Sequence, residues 1–220
     1  MCASGGVQSQ TITVLRQMKR YQVPFVVFVN KLDRMGANPA RCLDGLRQKL
    51  GLTCAFVYLP IGLEKDLEGG DFSVENFSFF GHHRISLILP YSKNFPLSLD
   101  NPPEKGIVDI INNRALYFKG PGGTEVVEGP VPADLQELRD EKFDELIGTL
   151  ADVDDEIAEQ YLMEETPSIE EIEAAIRRGV INRSFQPVLM GSALKNTGVQ
   201  CRVEHFVSFE KLIFAITSRV

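Results

Sequence analysis

The chain has 220 residues, of which 44% are hydrophobic and 24% charged, an ordinary globular mix with length for one or two domains. No apolar run approaches the roughly 18–20 residues that a membrane helix needs, and a net charge of −7 argues against DNA or other nucleic acid held by bulk electrostatics. Cys2, Cys42, Cys54 and Cys201 show no C-x-x-C spacing, so zinc, redox-motif and disulfide-scaffold readings fail and free thiols are expected.

The opening residues, MCASGGVQSQ, lack the basic and apolar regions of a signal peptide. Residues 11–21 then place Ile12, Leu15 and Met18 at helical spacing, with Val14 and Tyr21 widening the stripe. Phe25–Val29 is a short unbroken apolar run, as expected of a parallel strand buried on both faces. Asn38 and Pro39 suit the cap and first turn of a second helix. Leu43, Leu46 and Leu50 mark its buried face, and Gly51 is placed to stop it. Cys54–Leu59 reads as one further strand.

Between residues 64 and 105, glycines and prolines punctuate short apolar pieces without helical periodicity, so loop with short strands is expected. Residues 106–118 resume strand character and 119–124 (KGPGGT) form a turn. Residues 133–178 are helical and acidic. Leu135, Leu138, Leu146 and Leu150 form a stripe there, a short helix starts near Asp154, and Ser168 with Glu171 forms a capping box. Gln186–Met190 is a strand with Pro187 near its start.

The chemistry concentrates after two of these strands. Ligands of open α/β sheets bind beyond the carboxyl ends of strands, and Asn30-Lys31-Leu32-Asp33 occupies such a place. The Asp33 carboxylate can accept from both N1–H and the exocyclic amine of guanine. Adenine offers no such pair and would leave the carboxylate unpaired. Asn30 can donate to the base edge and tie neighbouring loops together, and Lys31 can lay its aliphatic stem over a flat ring. The tetrapeptide alone equally suits a strand-closing turn with Lys31 solvated. Ser192-Ala193-Leu194 follows the later strand and can bring the Ala193 N–H to guanine O6; alone, it also suits a strand-to-helix turn with a Ser cap. The two loops in this order are more specific than either.

On these residues the chain resembles elongation factor G, the mitochondrial form most closely. The resemblance runs through residues 4–63 (SGGVQSQT, RQMKRY, NKLDRMGANPAR), 106–120 (GIVDIINNRALYFKG) and 130–200, ending GSALKNTGVQ. It implies an α/β fold: an incomplete parallel sheet of the P-loop-NTPase (G domain) type flanked by helices, with an inserted helix-rich α/β subdomain. Residues 1–63 and 181–220 would belong to the guanine-nucleotide-binding domain. Residues 64–180 would be the acidic insertion, atypical at about 70–104. The resemblance implies that Asn30, Lys31, Asp33, Ser192, Ala193 and Leu194 bind the base of GTP or GDP. The full-length relative would be a GTPase that moves transfer RNA and messenger RNA through the ribosome, in the mitochondrion. The acidic subdomain would contact a ribosomal stalk protein.

The departures shape what this chain alone is expected to do. No G-x-x-x-x-G-K-[ST] occurs in it, so neither the phosphate cradle nor the hydroxyl ligand of Mg²⁺ is supplied. No catalytic and no metal-binding residue is assigned. The family's switch threonine and its D-x-x-G loop, which the resemblance would put just before Ser4, are not supplied either, so base contacts alone should bind nucleotide weakly and no hydrolysis is expected. The resemblance lapses from about Gly70 to Glu104 and after Gln200, where read-through of non-coding sequence is the expectation. A non-catalytic product, acting as an interaction module or without function, is the alternative reading. With Phe25–Val29 lacking neighbours, an exposed strand edge is expected, and the chain would be monomeric or prone to aggregation.

The remaining candidates are weaker. His82-His83 and the lone His205 do not form a metal set. Asp152–Glu156 begins like a calcium loop, but Ile157 stands where glycine is needed and Met163 where the closing glutamate is needed. Gly120, Gly122 and Gly123 lack the lysine of a phosphate loop. Ser4–Gln8 does not supply the G-x-G-x-x-G of a dehydrogenase.

Overall fold

The computed structural model describes residues 1–62, 106–120 and 123–199. The readings made on 64–105, on His82, His83 and His205, and on the tail after Gln200 lie outside the described residues. In chain order the elements are α1 (Ser9–Arg20), β1 (Val27–Val29), α2 (Pro39–Leu50), β2 (Cys54–Phe56), β3 (Tyr58–Ile61), β4 (Gly106–Asp109), β5 (Arg114–Lys119), β6 (Glu125–Gly129), α3 (Ala133–Ala151), α4 (Asp155–Leu162), α5 (Ile169–Asn182) and β7 (Gln186–Met190). The fold is α/β, with a parallel sheet of order β1-β7-β2 and an antiparallel sheet of order β3-β4-β5-β6.

β7 is the spine of the parallel sheet, buried at every position. It pairs Val27↔Val188 through Val29↔Met190 on one side and Cys54↔Gln186 through Phe56↔Val188 on the other. A proline in a central strand requires explanation. Gln186 N–H donates to Thr53 O and Val57 N–H to Val188 O, whereas Gly191 N–H donates to Val29 O. Residues 186 and 188 therefore face β2, and Pro187 faces the β1 side one step before that pairing begins. Its missing N–H falls where no strand asks for it.

The helix signals read from the sequence are realised locally. The Asn38 side chain accepts from Arg41 N, Pro39 opens α2, and Gly51 ends it in the left-handed region. Ser168 and Glu171 cap each other at the start of α5. The stripe of α1 is narrower than expected. Leu15 is its buried residue, while Val14 and Tyr21 are 55% and 67% exposed, because β1 is an edge strand and offers the helix a narrow floor.

Cys54–Leu59 is not one strand. The chain changes sheets at Val57, whose N–H donates to Val188 O in the parallel sheet and whose C=O accepts from Ile110 N in the antiparallel one. Residues 54–59 are all buried, so their apolar pattern carries no mark of the switch. The antiparallel sheet consequently begins at Tyr58, ahead of residue 64. Residues 121 and 122 of the expected 119–124 turn lie outside the described residues; after it, β6 pairs with β5 from Lys119↔Glu125 to Ala115↔Gly129, a strand that the sequence reading did not include. Behind the sheets, α3 packs on β2, α4 and α5. Arg47 of α2 ties these layers together: its guanidinium donates to Cys54 O and pairs with Glu145 of α3.

The edge of β1 is partly covered. Met1–Ala3 runs beside its carboxyl end, with a parallel bridge Cys2↔Asn30 and bonds Asn30 N–H to Met1 O and Ala3 N–H to Asn30 O, both 2.8 Å. Cys2, Cys42 and Cys54 are free thiols, and burial pushes the last two up to about 11.

Candidate functional site

Because β1 and β7 are adjacent and parallel, their carboxyl ends emerge side by side, and residues 30–33 and 191–197 leave the sheet as neighbours. Two side chains join the loops. Asn30 Oδ1 accepts from Lys31 N at 2.7 Å and, across the gap, from Ala193 N at 2.9 Å. Ser192 Oγ donates to Asp33 Oδ1 and accepts from Lys195 N at 3.3 Å. Ser192 is 4% exposed, so its hydroxyl is committed to this role rather than to solvent.

The backbone is shaped to serve these contacts. Lys31 has φ 69°, a left-handed conformation that costs a non-glycine residue about 1 kcal/mol. Such outliers persist where surrounding bonds over-determine them. Here the Asn30 side chain holds Lys31 N, and Leu32 N–H donates to Gly191 O at 3.2 Å. The twist leaves Lys31 exposed while Leu32 turns inward and Asp33 meets Ser192. The later loop closes on itself through paired Ser192 and Thr197 backbone bonds of 2.9 and 3.0 Å. Its apex carries Leu194, 85% exposed.

All six residues singled out in the sequence thus lie on the two joined loops. One detail differs from expectation. The Ala193 N–H, expected to face guanine O6, donates to Asn30 Oδ1 in the tie between the loops. Beside Asp33 and Ser192 is a pit of about 40 Å³, with room for a water or so and not for a purine. A ring would have to lie over the outer lip, where Lys31 and Leu194 are exposed. A larger apolar cleft of about 320 Å³ lies between α1, β1 and α2, lined by residues such as Val14, Met18 and Phe25; it has no carboxylate to read a base.

The sequence reading missed the contribution of Met1–Ala3, which fixes the Asn30 backbone from its other side. It also missed the Lys195 and Thr197 contacts that shape the second loop. Gly191 and Gly198 closely flanking that loop were the available signal of a tight turn. Cys2, bridged to Asn30 of the first loop, has its thiol lowered to about 7 by the Ser4 hydroxyl, with smaller help from backbone N–H groups and Lys31.

Mg²⁺ and a phosphate chain do not fit the residues present. The sequence contains no phosphate loop, and among the described residues no cluster of three His, Cys, Asp or Glu could hold a metal. Asp154, at the start of the calcium-like run, is instead the cap of α4 and pairs with Arg178. Among the described residues no helix is long and apolar enough to cross a membrane.

Comparisons with known proteins bear on the family and the fold. The family described as "Elongation factor Tu GTP binding domain" matches residues 1–217. Elongation factor G, mitochondrial, of Anopheles gambiae is 42% identical over 200 residues, 91% of this chain and 22% of the relative. Elongation factor G-1, mitochondrial, of Arabidopsis thaliana is 44% identical over 209 residues, 95% of this chain and 23% of the relative. The chain therefore spans under a quarter of the length of these curated relatives. A solved structure from Thermus thermophilus has a TM-score of 0.63 at 21% identity, covering 100% of this chain and 26% of that one, which supports the fold alone. With a family model matching nearly its whole length, the chain belongs to the elongation factor Tu GTP binding domain family, and it is similar to mitochondrial elongation factor G.

Proposed function

We propose that this chain carries the guanine-reading part of the GTP site of a mitochondrial elongation factor G. The observation that carries the reading is the double tie between the loops, Asn30 to Ala193 and Ser192 to Asp33. It holds one carboxylate at a fixed place on the sheet's lip, with exposed Lys31 and Leu194 on the joined loops to flank a ring. Asp33 accepts from guanine N1–H and the 2-amine. Ser192 keeps that carboxylate oriented through its donated hydrogen bond. Guanine O6 takes the Ala193 N–H in exchange for Asn30, whose amide then turns to the base edge.

Residues 1–63 and 181–220 form the nucleotide domain of this reading, and 64–180 the acidic insertion. The phosphates and Mg²⁺ are held by parts this sequence does not contain, so the chain by itself binds guanine nucleotides weakly and leaves GTP intact. Work on the ribosome and residence in the mitochondrion follow from the named relatives. A ribosomal stalk protein is the partner proposed for the acidic helices, and the chain alone is expected to be monomeric or prone to aggregation.

Titration with GDP, ADP and xanthosine diphosphate tests the base reading. The chain should prefer GDP. Asp33→Asn should lose about a hundredfold in GDP affinity and gain affinity for xanthosine diphosphate, whose 2-oxo group accepts where guanine donates. Equal GDP and ADP binding by the unaltered chain would remove the reading and leave the non-catalytic interaction module.

A further inference from the structure

One end of the antiparallel sheet abuts the base-reading loops. Ile61, Gly62 and Gly106 line the same pit as Asp33 and Ser192. At that end the β5–β6 turn reaches the second loop. A Cβ built on Gly123 would lie 3.1 Å from the Lys195 carbonyl oxygen and 3.2 Å from that of Asn196. Gly123 has φ 64°, so the turn needs its conformational freedom as well as its bareness. The touched residues are one bond from the site, because Lys195 N–H donates to the Ser192 Oγ that donates to Asp33.

From this contact we infer that Gly123 is a positioning residue for base recognition. The bare Cα lets the turn lie flush on the Lys195 and Asn196 carbonyls. The loop is thereby held in the form that keeps the Lys195 N–H on Ser192, and Ser192 on Asp33. The inserted sheet is a brace for the guanine loop, so movement of the insertion is felt at the base. The inference rests on the base reading above for its consequence in affinity, though not for the contact itself.

Gly120 supplies the control. It precedes Gly123 at φ 77°, and the three atoms nearest a Cβ there belong to the Glu125 and Thr124 side chains at 3.5 and 3.6 Å rather than to a carbonyl of the loop. Gly120→Ala and Gly123→Ala therefore strain the turn alike, and Gly123→Ala alone pushes on the loop. In the full chain, Gly123→Ala should weaken GDP binding about fivefold and speed amide exchange at Ala193 and Lys195. Gly120→Ala should change neither. Equal effects of the two variants, or none from Gly123→Ala, would overturn the inference. Amide exchange is read without nucleotide, so if the unaltered chain shows no guanine preference, the base reading fails while the exchange comparison still decides the brace.

Discussion

The two sheets share one stretch of chain, Cys54–Ile61, and differ in how they are held. In the parallel sheet the central strand β7 is buried at every position and β2 likewise. In the antiparallel sheet burial fades outward: β4 is buried throughout, β5 in part, and β6 is exposed at four of its five positions. Two-sided burial makes side-chain packing the organising force of the first sheet. The second depends increasingly on backbone pairing and on its turns. Removing a side chain should therefore cost much at β7 and little at β6.

The largest expected effect is at Phe185, which is fully buried immediately before β7. Phe185→Ala removes a ring from between α5 and the sheet, and should cost about 3–5 kcal/mol of unfolding free energy by denaturant titration. A loss below about 1 kcal/mol would mean that the parallel sheet is not organised by packing, and the contrast would fail.

The same difference governs what could be read from sequence. Val188–Met190 of the fully buried β7 was recognisable as an apolar run, and the run Phe25–Val29 located β1 although it is an edge strand only partly buried at Phe28; the carboxyl ends of the two located the site. Caps were legible because they are local: Asn38, Gly51 and the Ser168–Glu171 box each satisfy backbone groups within a few residues. Pairing partners are not local. Nothing in Cys54–Leu59 marks Val57 as the point where the chain leaves one sheet for another, since burial is continuous across it. β6 was invisible because its residues, EVVEG, face solvent on both sides and imprint no alternation. At the site, the residue types were legible and the bonding was not. That Asn30 would take the Ala193 N–H depends on two loops 163 positions apart in the sequence.

An intermediate effect is expected where the acidic helices hold to one another through charge. The Asp154 carboxylate accepts from Arg178 Nε and Nη2 at 2.7 and 2.8 Å and from Ile157 N at 3.3 Å. Its side chain is 7% exposed, against 40% for Arg178. The Arg178 guanidinium holds its carboxyl below the usual range, outweighing burial. A depressed folded-state pKa stabilises the fold above the unfolded value, and that contribution is lost as pH falls through the folded one. Asp154→Ala should cost about 2 kcal/mol at neutral pH, from the lost cap and the two charged bonds. The gap between variant and parent should narrow once pH drops below 3.8. A gap independent of pH would assign the cost to the cap alone.

The smallest effect is expected at Val126 on β6, which is 42% exposed and stands opposite Phe118. Val126→Thr keeps the β-branch and so the strand preference, and exchanges a methyl for a hydroxyl that water can satisfy. If β6 is held by its backbone ladder and the turn before it, the change should stay within about 0.5 kcal/mol of the parent, measured as a shift in denaturant midpoint at constant slope. A cost near that of a core truncation would mean that Val126 is covered and packed in the folded chain. The outer strand would then be organised by side-chain burial like β7, and the gradient from β4 to β6 would no longer separate the two sheets.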